Sequence, residues 1–212
     1  MTMKLFSYVV THDTGFSPNP FHGYCTLACC KPAIRRTAQK GDWIIGLTAK
    51  SKGNRIVYMM QVDEVEGLGE YWFDRRFERK KPQFNGDLAQ RCGDNIYEPK
   101  DKGRFHQIPS LHSDEKCIAR ENAETKIRDL SGRNVLISES FAYFGDCARD
   151  LPRGLRSLIV ERGHRCRFSE EVLTEFISFV KTLRFGVYAA PTKWKTGDDS
   201  WKRASGTWLV HE

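Results

Sequence analysis

The chain has 212 residues, 40% of them hydrophobic and 29% charged, which suits a globular protein with a sizeable core and excludes disorder of the whole chain. No stretch approaches the roughly 18 apolar residues of a membrane span, and Met1–Tyr8 lacks the apolar run and small-residue cleavage site of a secretory signal, so a soluble cytoplasmic protein is expected. Seven cysteines, an odd and scattered set, read as reduced thiols, and the net charge of +7 favours polyanionic partners.

In chain order, Leu5–Val10 alternates with aromatic and β-branched residues and predicts a strand, which Gly15, Pro18 and Pro20 prevent from continuing. The long loop from His12 to Tyr24 is expected to be held by its own side chains. Pro32 suits the first turn of a helix through Ala38, ended by Lys40-Gly41-Asp42. Trp43–Thr48 and Arg55–Val65 predict a hairpin, with Trp43, Tyr58 and Val62 in the core. Glu66–Phe77 has the spacing of a short helix weakened by Gly67 and Gly69. Glu78–Arg133 reads as polar, extended insertion with short strands at Asn95–Tyr97 and Phe105–Ile108. Asn134–Ser138 predicts a strand and Phe141–Gly145 an aromatic turn. Ser169 is a suitable N-cap for a helix whose Val172, Leu173, Phe176, Ile177, Val180 and Leu183 share a face. The tail from Pro191 carries Trp194, Trp201 and Trp208 with little periodicity. The domain expectation is a single unit over 1–212, with a core of about 1–160, an insertion at 78–133 and a helix and tail at 168–212.

The first loop gathers groups suited to a base. Phe16, Phe21 and Tyr24 offer rings for stacking, and Thr11, His12, Asp13, Asn19 and His22 offer hydrogen bonds to base edges. The competing reading is an ordered loop whose rings cap the core and whose Asp and Asn satisfy its own turns. Tyr143 is a further pocket candidate. Three basic clusters flank these features: Lys31, Arg35, Arg36 and Lys40; Arg75, Arg76, Arg79, Lys80 and Lys81; and Arg149, Arg153, Arg156, Arg162, Arg165 and Arg167. Lys31, Arg35, Arg36, Arg76 and Lys80 are the candidates for phosphate, with solvated faces as the alternative. Trp72 beside the second cluster either grips a strand or packs a helix.

His22, Cys25, Cys29 and Cys30 gather soft ligands, but no second paired half accompanies them, so no metal is expected. No cofactor is expected either: the chain has no P-loop, no dinucleotide glycine fingerprint and no zinc-deaminase motif. An enzyme acting on a nucleotide through His12, Asp13 and a nearby cysteine remains open, as does a scaffold subunit.

Ordered motifs carry a family resemblance: Tyr8–Phe21, Cys25–Pro32, Gly41-Asp42-Trp43, Tyr71-Trp72-Phe73-Asp74, Arg76-Phe77, Lys80-Lys81-Pro82, Gly93–Tyr97, Phe141–Gly145 and Leu151-Pro152. Through them the chain resembles the second type of nucleotide-modification-associated domain, a bacterial and phage family, over roughly its first three quarters. The resemblance implies association with nucleotide or DNA modification, and with phage-defence systems. More loosely, the strand, pocket loop, short helix and Gly-Asp strand are similar to the PUA-like modules, including EVE, ASCH and YTH domains, which hold a base beside a small β-barrel. The expectation is an α+β, PUA-like mixed or antiparallel barrel with flanking helices and polar insertions, recognising a nucleotide or modified base in nucleic acid.

Overall fold

Leu5, Phe6, Ser7 and Tyr8 are all buried, so the first strand is covered on both faces, and the layers of the fold follow from that demand. The computed structural model describes residues 3–111, 121–195 and 197–210; residues 112–120 of the expected insertion and the chain ends lie outside the described residues. The first half forms β1 (Leu5–Val9), β2 (Cys25–Leu27), α1 (Pro32–Thr37), β3 (Trp43–Leu47), β4 (Ile56–Gln61), β5 (Glu64–Gly67), α2 (Leu68–Phe73) and α3 (Leu88–Arg91). There follow β6 (Tyr97–Lys100), β7 (Arg104–Gln107), α4 (Ala123–Leu130), β8 (Asn134–Ser138), β9 (Phe141–Tyr143), β10 (His164–Arg165), α5 (Glu170–Val180), β11 (Gly186–Val187) and α6 (Ser200–Ser205).

The result is a mixed α+β fold with open sheets. Six strands run in the order β10-β1-β3-β4-β9-β11, with β1 parallel to β3 and β9 parallel to β11. A second sheet has the order β2-β8-β5, and β6 pairs with β7 as a hairpin. One face of the large sheet packs Phe6, Tyr8, Tyr58, Met60, Phe141 and Tyr143 against Cys25, Leu27, Ile34 and Leu136 of the second layer. The other face packs Leu5, Trp43, Ile45 and Met59 beneath Phe176 and Val180 of α5. The outer side of the small sheet, through Val135 and Ile137, is covered by Phe16, Tyr71, Phe77 and Tyr97.

Among the described residues no barrel closes, because the chain changes sheets where one long strand is expected from the sequence. The Arg55–Val65 run breaks at Val62–Asp63, and the Asp63 carboxylate accepts the amides of Glu139 (2.7 Å) and Ser140 (3.0 Å), which starts β5 in the second sheet. The expected aromatic turn at Phe141–Gly145 begins as strand β9, since Phe141 and Tyr143 bury their rings against β4 and only Gly145 turns. The insertion also contains α3 and α4, the latter begun by the Asn122 carboxamide accepting from Thr125 N (3.0 Å). Asp42 of Gly41-Asp42-Trp43 accepts from Lys4 N (2.8 Å) and Gln39 N (2.9 Å), which aligns β1 with β3. Ser169 occupies the N-cap of α5 without a side-chain cap bond, and Glu170 and Glu171 in the first turn complement the helix dipole.

Arg35 on α1 is fully buried, and its guanidinium donates to the carbonyls of Cys30 (2.8 Å), Asn134 (2.9 Å) and Asp129. The Asp129 carboxylate in turn accepts from Cys30 N (2.8 Å) and the Tyr97 hydroxyl (2.9 Å), so one node joins α1, α4, β6 and β8. A Cβ on Gly132 would lie 2.6 Å from this guanidinium, which explains a glycine at the close approach. Arg35→Met leaves three buried carbonyls without their donor and is expected to cost about 3–5 kcal/mol in equilibrium denaturation, whereas exposed Arg36→Met changes stability by less than about 0.5 kcal/mol.

Candidate functional site

The loop between β1 and β2 is fixed by the C-terminal tail as well as by its own side chains. Asp13, 3% exposed, accepts from the Tyr143 hydroxyl (2.5 Å), Thr192 N (2.9 Å) and Thr192 Oγ1 (3.3 Å). Burial raises its pKa above the ordinary carboxylate value, opposed by these donors. Trp194 Nε1 donates to Thr14 O (2.8 Å), and the Phe21 ring lies 5.6 Å from that of Trp194. Asn19 donates to Cys92 O (2.9 Å) and accepts from Lys80 Nζ (2.7 Å), while Tyr24 packs edge-on against Phe77 at 5.2 Å.

Beyond this anchored portion the loop opens onto a cavity of about 530 Å³ between Val10–Ser17 and the start of α1. Thr11, His12, Thr14, Phe16 and Ser17 line one side; Cys30, Lys31 and Pro32 line another; Leu111 and Arg128 come from the insertion, and Tyr8 from β1. Cys30 (φ 57) and Lys31 (φ 40) are consecutive left-handed residues, a turn that swings the lysine back over β1. Lys31 Nζ donates to Val9 O (3.2 Å) and sits 4.5 Å from the centre of the Tyr8 ring. Among the described residues no carboxylate pairs with it, and burial pushes its pKa down. Beneath, the Tyr8 and Tyr58 hydroxyls bond at 2.7 Å. The volume lies within the range of small-molecule sites, which combine apolar walls with a few convergent polar groups.

Of the sequence candidates, the cavity brings together Thr11, His12, Phe16 and Lys31. Asp13, Asn19, Phe21, Tyr24 and Tyr143 do not line it and instead hold the loop to its neighbours through the contacts above. His22 lines a separate hollow of about 220 Å³ with Arg79, Asp87 and Arg203. Arg35 and Lys80 are fully buried on carbonyls and do not face solvent; Arg36 donates to Ser131 O (3.2 Å). Arg76 is engaged by Glu64 (2.7 Å), Glu66 (2.9 Å) and Asp74 (2.8 Å). Trp72 carries Lys81 Nζ at 4.4 Å, while its neighbour Tyr71 is buried. Cys30, read from the sequence as a soft-ligand or nucleophile candidate, also lines the cavity, while Tyr8, Ser17, Leu111 and Arg128 join it without a sequence signal: Tyr8 reads as strand core, and nothing local to Arg128 places it near the first loop. Asp13 faces inward and the buried Cys25 and Cys29 thiols are raised by desolvation, whereas exposed His12 and half-buried Cys30 both line the cavity. Among the described residues no three His, Cys, Asp or Glu side chains converge as a metal site.

The family described as nucleotide modification associated domain 2 matches residues 2–198, a span that contains every residue lining the cavity. The chain belongs to this family. No curated protein and no solved structure matches it. Membership in the nucleotide modification associated domain 2 family ties the chain to nucleotide modification, and the description names no reaction. No helix among the described residues is long and apolar enough to cross a membrane.

Two expectations follow, one for Asp13 and one for His22. Tyr143→Phe removes a donor from buried Asp13 and is expected to cost about 1–3 kcal/mol in denaturant titration. His22 has its pKa lowered to about 4 by burial and by the nearby Lys80 and Arg79 cations. The unfolded chain therefore binds more protons between about pH 6.5 and 4, and the stability due to neutral His22 is lost as pH falls through that window. His22→Asn, which tolerates the left-handed backbone at φ 60, is expected to flatten that acid limb by about 1–3 kcal/mol relative to the parent chain.

Proposed function

We propose that this protein recognises a nucleotide or a modified base, held in the cavity between Val10–Ser17 and the start of α1. The observation that carries the reading is Lys31: a half-buried cation without a carboxylate partner among the described residues, facing a cavity of about 530 Å³. Such a group is stabilised by an anionic or carbonyl oxygen of a guest. Phe16 and Pro32 supply apolar walls, and Thr11, His12, Thr14 and Ser17 read polar edges from the rim. Arg128, exposed at the mouth, meets a phosphate attached to the guest. The order of strand β1, pocket loop, helix α1 and Gly-Asp strand β3 supports kinship with PUA-like base-binding modules, in a variant whose sheets remain open.

The reading narrows the phosphate assignment to Lys31 and to Arg128, which lies 3.8 Å from the buried Asp129 carboxylate, because Arg35 and Lys80 already satisfy internal carbonyls, Arg36 donates to Ser131 O and Arg76 is neutralised by three acids. Calorimetric titration with nucleoside monophosphates, bearing ordinary and modified bases, tests it. Lys31→Gln is expected to weaken binding about tenfold or more, equivalent to about 1.4 kcal/mol, and Arg128→Gln about threefold, since the latter is solvent-screened. Absence of binding to the folded parent chain, or an unchanged affinity in Lys31→Gln, would refute the reading.

A further inference from the structure

The third basic cluster lies on the far side of β1 from α1, and neither the core nor the cavity uses it. Between Leu151 and Arg167 the sequence carries five arginines, no lysine and one acid, Glu161. The structure explains their exposure. Arg153–Leu158 is a tight 3-10 turn in which Leu155 and Leu158, three apart, are buried beneath the large sheet, leaving Arg153 and Arg156, also three apart, exposed. Arg162, Arg165 and Arg167 then lie before, in and after β10, the edge strand. Arg165 is tethered, donating to Ser157 O at 3.2 Å, and Arg149 is held between the rings of Phe144 and Tyr188. Arg153, Arg156, Arg162 and Arg167 are exposed, and their guanidinium groups make no hydrogen bond or ion pair among the described residues. The acids around them are Glu161 in the same segment, Glu175 of α5 beside Gly154, Glu170 and Glu171 at the start of α5, and Asp150, which pairs with Arg55.

Register connects this ridge to the cavity. In the antiparallel pairing, Ser7 faces Arg165 and Tyr8 faces His164, so the residues preceding β10, Arg162 and Gly163, point along β1 toward Val10 and Thr11, where the cavity begins. We infer that this arginine ridge is a backbone-binding surface for a nucleic-acid strand, whose phosphates it holds while one nucleotide occupies the cavity. The inference rests on the nucleotide-pocket reading for the course of the strand and adds to it that the guest is part of a polymer. Guanidinium groups are well matched to phosphate, since each presents a planar fork to its oxygens, and uncompensated cations release condensed counterions when they meet a polyanion. The short β10 edge, flanked by charge, also resists pairing with another strand of protein.

The test is a variant carrying Arg153→Gln, Arg156→Gln, Arg162→Gln and Arg167→Gln, all at exposed positions, compared with the parent chain in binding to a fluorescent single-stranded oligonucleotide across a salt series. The affinity is expected to fall at least tenfold at low salt, and the slope of log affinity against log salt to decrease by about 2–3, at about 0.7 for each phosphate no longer neutralised. Mononucleotide titration is expected to be unchanged by the four substitutions. Unchanged oligonucleotide affinity and slope in a variant that still binds mononucleotides would overturn the ridge and leave the pocket intact. Oligonucleotide binding that depends on the ridge, in a chain that binds no mononucleotide, would instead sustain the ridge and remove the pocket. Association with phosphatidylglycerol vesicles without oligonucleotide binding would overturn the inference in favour of a lipid surface.

Discussion

A buried carboxylate determines where the cavity lies. Asp13 follows β1 by four residues, yet it is bonded to Tyr143 on β9 and to Thr192 near the chain's other end. Burying a charge or even a neutral carboxyl is costly unless its oxygens are satisfied, and the three donors here specify one position for the loop. With Asp13 turned inward, Thr11 and His12 before it are left at the surface beside the cavity, while Phe16 after it returns to the packed side of the small sheet. The tail then covers the remaining turn through Trp194 on Thr14 and Phe21. A loop of this length, which seldom keeps one conformation by itself, thus acquires a fixed shape from elements distant in sequence.

Irregular backbone also explains why two basic residues expected on phosphate lie inside. A loop packed beneath other segments carries carbonyls that no strand can pair, and each needs a donor. Arg35 supplies three such bonds with one planar group. Lys80 supplies the carbonyls of Asn19 (3.1 Å) and Tyr24 (2.9 Å) together with the Asn19 side chain. Its amine is pushed down to about 8 by burial, partly offset by Asp94. Asp94 accepts from Thr26 Oγ1 (2.7 Å) and the Tyr71 hydroxyl (2.8 Å), and a Cβ on Gly93 would lie 2.3 Å from Lys80 O. Several motifs that carry the family resemblance, among them Lys80-Lys81-Pro82 and Gly93–Tyr97, therefore maintain this buried polar network. They serve the architecture of the family, and none of Lys80, Lys81, Pro82 or Gly93–Tyr97 lines the cavity.

Local pattern and long-range placement divide what is legible in the sequence. Strands β1, β3, β4 and β8 and helices α1 and α5 follow from alternation, a proline in the first turn and helical spacing, all local signals. Helix α4 escapes such a reading because its apolar positions are few and Ile127 is 73% exposed; it is begun by a cap, not driven by a buried stripe. The barrel expectation fails at Asp63, whose role depends on amides 76 and 77 residues away. Similarly, the first loop is legible as a polar, aromatic segment near a pocket, but which of its rings face inward depends on tail residues without periodicity. Arg128 enters the cavity lining only through the packing of α4 near α1.

The net charge of +7 acquires meaning only after these assignments are made. Arg35 and Lys80 are buried on carbonyls and Arg149 lies between two rings, so their donors are not presented to solvent, and Arg76 is neutralised by three carboxylates. What remains near β1 is Lys31 on one side and the exposed arginines around β10 on the other. A polyanion is attracted by the field that persists after internal pairing, and two such regions flanking one strand favour a ligand with charges spaced beyond a single nucleotide. In the proposed reading two duties are separate: sequence-independent phosphate contacts would fix the strand while the cavity would discriminate the one residue it encloses.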